Sequence, residues 1–230
     1  MPVLDKSIGM ADAIAQIPDG ARVMIGGFGV PGTPFLLIEE LVRQGPKNLT
    51  IIKNDANESG MGVDWLLAAG MVKRLITSHI GLNGNAVRMM NVGEIEVEFV
   101  AQGMLAERIR VAGAGLKGFV SDIGMGTLLA EGKQRVEVDG ETYLFEPAIE
   151  ADFALVHAAR ADTFGNLTYE ATARNFNPLM AMAAECTIAE AETVGPVGSI
   201  GPDEVHTPAP FVDHLVAMPE VPEVYGVVKR

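Results

Sequence analysis

Four short apolar runs in the first half of the chain, each followed by a segment of helical period, decide the architecture before any motif is considered. The runs are RVMIG (22–26), LTIIKN (49–54), VKRLITS (72–78) and IEVEFVAQ (95–102). They are β-rich and too short for buried helices. Between them lie TPFLLIEELVRQ, MGVDWLLAAG and NAVRMMNV, and MLAERIRVAGAG comes after the fourth. Strands alternating with helices of this length form crossover units, so the sheet is expected to be mostly parallel and covered on both faces. Near residue 133 the period changes. QRVEVDGETYLFE alternates apolar and polar residues about Asp139-Gly140, the dipeptide that favours a two-residue hairpin turn. ADFALVHAA then reads as a strand, DTFGNLTYEATARNFNP as irregular, and the stretch after residue 178 as a short helix with small strands. The 230 residues show no linker composition and no internal repeat. The expectation is one α/β domain over 1–230: a mostly parallel sheet flanked by helices, with an antiparallel hairpin addition.

Composition narrows the functions. The chain carries 17 basic and 30 acidic residues, a formal charge of −13, which would repel a phosphate backbone, so no nucleic-acid partner is expected. Its one cysteine, Cys186, excludes an internal disulfide and a CxxC metal site, and within AMAAECTIAE it reads as a buried, inert thiol. His157, His206 and His214 lack metal-ligand spacing, and no metal is expected. His79 closes the third strand with no paired acid or nucleophile in view and reads as structural. No apolar stretch reaches the ~20 residues of a membrane span. The N-terminal segment carries acids and lacks the long apolar core of a signal peptide. A cytoplasmic protein with no membrane partner is expected.

The loop after the first strand, Gly26-Gly27-Phe28-Gly29-Val30-Pro31-Gly32, holds five glycine and proline residues in seven positions, more than a tight turn requires. Gly27-x-Gly29-x-x-Gly32 spells a dinucleotide fingerprint. That motif needs its third glycine inside the helix, whereas Thr33 as N-cap and Pro34 as first helical residue would start the helix after Gly32. Asp55 lies 28 residues after Gly27, further than the usual ~20 for a ribose-binding acid. A loop of this kind lets a ligand approach the main chain and turns N–H groups toward an anion or a developing oxyanion.

These residues resemble a known family. Asp19-Gly20, Val23-Met24-Ile25-Gly26-Gly27-Phe28, Gly32 and Pro34 look like the first signature of the family I coenzyme A transferases. AQGMLAERIRVAGAGLKGF, GMGTLLAEGK, ADTFGNLTY and ARNFNPLMAMAAE resemble later blocks of the same type of chain in the same order, spanning about residues 8 to 216. The match is to the α (A) subunit of 3-oxoacid, acetate/butyrate or 3-oxoadipate CoA-transferases. The resemblance implies ping-pong exchange of CoA between two carboxylic acids through a glutamyl-CoA thioester. CoA and acyl-CoA are then substrates, with no tightly bound cofactor. The nucleophilic glutamate is implied to lie in a Ser-Glu-Asn-Gly signature of a β subunit, making this chain one half of a heteromer, α2β2 in form.

NDANESGMG invites confusion with that signature, but its order is Asn-Glu-Ser-Gly, and Glu58 fits a first-turn helix position equally well. The resemblance assigns Gln102 to the oxyanion hole, and it places Asn54 and the glycine loop, residues 26–32, against CoA or acyl substrate. Where the family carries Asn-Asn, this chain has Asn54-Asp55, and a carboxylate there would repel an anionic substrate unless turned away or protonated. TARNFNP receives no chemical assignment. Two other functions fit parts of the sequence: a dinucleotide-dependent oxidoreductase using Gly27, Gly29 and Gly32, and a non-catalytic metabolite-binding α/β protein.

Overall fold

The computed structural model describes residues 5–223. The four apolar runs form β1 (Arg22–Ile25), β2 (Leu49–Ile52), β3 (Val72–Thr77) and β4 (Glu96–Phe99). They alternate with α2 (Phe35–Gln44), α3 (Val63–Ala68), α4 (Gly84–Asn91) and α5 (Gln102–Gly113); α1 (Met10–Ile14) precedes them. Two long strands, β8 (Ala151–Asp162) and β10 (Ala184–Gly195), with β11 (His214–Ala217), complete a parallel order β11-β10-β8-β1-β2-β3-β4. Short β9 (Leu167–Thr168) pairs antiparallel with β8. The expected hairpin is β6 (Arg135–Val138) and β7 (Glu141–Pro147), turning through Asp139 and Gly140, both at positive φ. It gains a third strand, β5 (Gly118–Ser121), that the apolar pattern does not mark.

The small strands expected after residue 178 are corrected. Helix α6 (Asn177–Ala183) leads into the twelve residues of β10, whose Glu185, Glu190 and Glu192 break up its apolar character. Alternation within each strand feeds two cores. Val23, Ile25, Ile51 and Leu75 face α1 to α4, whereas Met24, Ile52, Ile76 and Val156 face α5 and α6. Each such fully buried aliphatic side chain contributes about 1.5–3 kcal/mol. Strand order explains the layering. From β1 the chain steps outward through β2, β3 and β4, then returns to add β8 and β10 on the other side of β1. Successive crossovers of one hand running in opposite directions put their helices on opposite faces. The direction reverses between β1 and β8, and ligands of such sheets sit outside the carboxyl ends of the strands at that reversal.

Candidate active site at the carboxyl edge of the sheet

The glycine loop leaves β1 at this reversal. Gly26 N–H donates to Leu155 O of β8 at 2.9 Å, anchoring its start. Gly27 has φ +96°, and a Cβ there would lie 2.4 Å from Thr33 Oγ1 and 2.6 Å from Thr33 N, so no side chain fits. Gly32 has φ +75° and backs onto Ala173 O, which a Cβ would meet at 2.4 Å. Contrary to the expectation from sequence, Thr33 does not cap the helix. Pro34 is the N-cap and Phe35 the first helical residue, and the Thr33 hydroxyl points backward, donating to Gly29 O at 2.6 Å. Gly32 therefore stays outside the helix, in the position that does not suit a dinucleotide fingerprint.

The loop carbonyls are occupied from behind. Lys53 Nζ donates to Gly26 O (3.3 Å), Asn57 Nδ2 to Gly29 O (2.8 Å), Asn175 Nδ2 to Pro31 O (2.9 Å) and Asn177 Nδ2 to Gly32 O (3.0 Å). Among the described residues no partner is found for the N–H groups of Gly27, Gly29, Val30 and Gly32. The loop thus offers donors, and α2 adds the positive end of its dipole behind them. Phe28, half exposed, stacks on Phe176 at 6.4 Å, and an open groove of about 500 Å³ runs beside the loop between Phe28, Pro31, Thr172 and Asn175.

The tips of β2, β3 and β4 continue the edge. Asn54 is fully buried, and its Oδ1 and Nδ2 find no partner among the described residues. Ser78, just past β3, sits 2.5 Å from Asn54 O and 2.5 Å from Gln102 Oε1. Its one hydroxyl proton is shared between these two acceptors. With Oε1 at Ser78, the Gln102 Nε2 is the end of the amide without a protein partner among the described residues. Gln102 is the first residue of α5 rather than the end of β4, which stops at Phe99, and a second helix N-terminus therefore faces the same edge.

Asp55 is not left to repel an anion. Its Oδ1 lies 3.4 Å from the fully buried Lys53 ammonium, which balances its charge. Burial lowers the Lys53 pKa and the Asp55 charge opposes this. Glu58, in contrast, is exposed in the turn before α3, outside the helix whose first turn it was expected to join. His79 is half-buried, with Nδ1 3.4 Å from Ser78 Oγ. Cys186 is half-buried rather than buried; burial, then the charge of Asp213, pushes its thiol up to about 11, so it stays protonated and inert. Among the described residues no cluster of His, Cys, Asp or Glu could hold a metal, and no helix is long and apolar enough to cross a membrane.

Two groups invisible to sequence patterning stand behind the loop. Glu190, buried on β10, accepts the Leu37 N–H of the first turn of α2 at 2.9 Å. Its other oxygen meets His157 Nδ1 at 2.9 Å, and His157 Nε2 meets Glu192 at 3.2 Å. Burial pulls the imidazole pKa down, but the hydrogen bonds and charges of Glu190 and Glu192 outweigh it and raise it to about 9. The signal in the sequence is a pair of acids two residues apart, Glu190 and Glu192, within a strand, and a neighbouring strand with one histidine.

Comparison with known proteins shows the family and the fold. A family model described as Coenzyme A transferase matches residues 8–218. The chain is 44% identical over 215 residues to the alpha chain of the acetate CoA-transferase of Escherichia coli (strain K12), covering 94% of this chain and 98% of that protein. It is 45% identical over 223 residues to the corresponding chain of the 3-oxoadipate CoA-transferase of Acinetobacter baylyi, covering 96% and 98%. A crystal structure of an acyl-CoA transferase from E. coli O157:H7, in thioester complex with CoA, shares the fold with a TM-score of 0.86 at 24% identity. That alignment covers 96% of this chain and 49% of the other, so this chain spans about half the length of that transferase. The chain belongs to the coenzyme A transferase family, on the side of its α subunits.

Proposed function

We propose that this chain is the α half of a heteromeric, cytoplasmic CoA-transferase, assembled as α2β2, that moves CoA between an acyl-CoA and a short-chain or 3-oxo acid such as acetate, butyrate or 3-oxoadipate. The observation that carries the proposal is the row of unpartnered donors along one sheet edge: the loop N–H groups, the Asn54 amide and Gln102 Nε2. Such a row suits an oxygen that gains charge in a tetrahedral transition state. A glutamate of the β chain attacks the thioester carbonyl; the CoA thiolate leaves, and an acyl-glutamyl anhydride remains. The thiolate then attacks the glutamyl carbonyl, releasing the donor acid and leaving the glutamyl-CoA thioester. The acceptor carboxylate reverses these steps. In each addition Gln102 and the loop would hold the oxyanion, and Asn54 would hold the carboxylate. CoA is a substrate here, and no bound cofactor enters.

The test is reconstitution. The chain alone is expected to show no exchange between acetyl-CoA and acetate, and mixing with a β chain carrying Ser-Glu-Asn-Gly is expected to restore it. Turnover by the isolated chain would overturn the assignment and return attention to Glu58.

A further inference from the structure

We propose that Asn175 and Asn177, in the segment ARNFN, are positioning residues that fix which polar groups the glycine loop shows to substrate. The inference rests on the proposed function of the loop and extends it to residues that touch no substrate. A peptide loop can present carbonyls or amide hydrogens to a ligand, and only the latter welcome a carboxylate or an oxyanion. Here side-chain amides bind the carbonyls from the rear, at Pro31 O beside the loop's own Phe28 N–H at 3.0 Å. Asn175 Nδ2 takes Pro31 O (2.9 Å), and Asn177 Nδ2 takes Gly32 O (3.0 Å) together with Ala173 O (2.8 Å).

Both asparagines are themselves held. Asn175 Oδ1 accepts the Phe176 N–H at 2.6 Å. Asn177 Oδ1 accepts the His157 N–H at 3.2 Å, and it packs so closely under Gly26 that a Cβ there would lie 1.9 Å away. The backbone around Asn175 is bent to reach the loop, with φ 14° and ψ −115°, and Ala171 four residues earlier lies at φ 44°. On the far side, Glu190 accepts the Leu37 N–H of α2 while joined to His157. One buried network therefore grips both ends of the loop, through Asn177 and His157 to Glu190. Aspartate at 175 or 177 would present acceptors where donors are required, and the loop would lose its orientation without losing its core packing.

The experiment uses the assembled αβ complex, with acetyl-CoA and acetate as probes, and compares wild type with Asn175→Ala, Asn175→Gln and Asn177→Asp. Asn175→Ala is the decisive variant because Asn175 is only half-buried and its loss leaves both cores intact. Its kcat is expected to fall about ten- to a hundredfold, the cost of a small misplacement, with KM changed less than about threefold. Amide hydrogen exchange at Phe28 and Thr33, whose N–H groups close the loop on Pro31 O and Val30 O, is expected to rise at least about tenfold, with β1 and α2 unchanged. Asn175→Gln, which keeps the donor, should recover part of both. Asn177→Asp should show the same pattern more strongly. Unaltered kcat and loop exchange in Asn175→Ala would overturn the proposal. So would losses that spread to the strands with the melting midpoint, since those mark a merely structural role. If the wild-type complex itself transfers no CoA, the proposed function fails, and the exchange rates at the loop still decide whether Asn175 sets its shape.

Discussion

The His157 cluster makes a quantitative demand on stability. An imidazolium between Glu190 and Glu192 is favoured in the folded chain, where its pKa is about 9, over the unfolded chain, where it is near 6.5. A pKa raised by folding stabilises fully below the unfolded value and is lost as pH climbs through the folded one. The window is therefore pH 6.5 to 9. Across it the cluster's contribution should fall by about 1.36 kcal/mol per pH unit, for a total of about 3 kcal/mol. Urea unfolding of wild type and His157→Asn at half-unit steps across and just beyond that window measures this. The quantity to plot is the difference between the two, because Lys53, whose pKa burial lowers, acts with the opposite sign in both proteins. Wild type is expected to lose its advantage over the variant with that slope. Parallel curves for the two proteins would refute the account, and with it the charged state assigned to the pair that caps α2.

Gln102→Ala in the αβ complex is expected to lower kcat by about 10²–10³, the value of one oxyanion donor, with KM changed much less and assembly intact by gel filtration. Glu58→Gln is its control and should retain most activity; a dead Glu58→Gln beside a near-normal Gln102→Ala would displace the active site. Gly27→Ala must place a Cβ 2.4 Å from Thr33 Oγ1 at φ +96°, and it is expected to destabilise by at least about 2 kcal/mol in thermal melts and to abolish turnover. Calorimetry with NADPH should show no saturable micromolar binding, since Gly32 lies outside α2.

Much of this is readable in the residues. The parallel half comes from four apolar runs with helices between them, and the β6–β7 hairpin from Asp139-Gly140, because each signal is local. The loop glycines announce a close backbone approach by their number alone. The features that escape are set by distant partners. Thr33 has the chemistry of an N-cap, but its side chain is turned back toward Gly29 O, away from the helix. β10 reads as broken because Glu190 and Glu192 look solvent-facing until His157 is found beside them. TARNFNP carries no periodicity, since its side chains are spent on carbonyls 144 and 145 residues earlier in the chain. The Lys53 partner that makes Asp55 acceptable lies two residues away, yet only burial shows that it points inward.

That separation bears on the order in which the molecule can be made. The glycine loop emerges during synthesis well before the segment that shapes it, and its strand, β1, can pair with β2 soon afterward. Its shape, however, depends on groups 144, 145 and 153 positions downstream: Asn175 for Pro31, Asn177 for Gly32 and Glu190 for Leu37. Contacts of such range close late, after the entropy of a long intervening chain has been lost. Strands β1 to β4 can thus collapse with the future active site still unshaped. The part of the chain translated early becomes a binding surface only when residues near the end of the domain arrive.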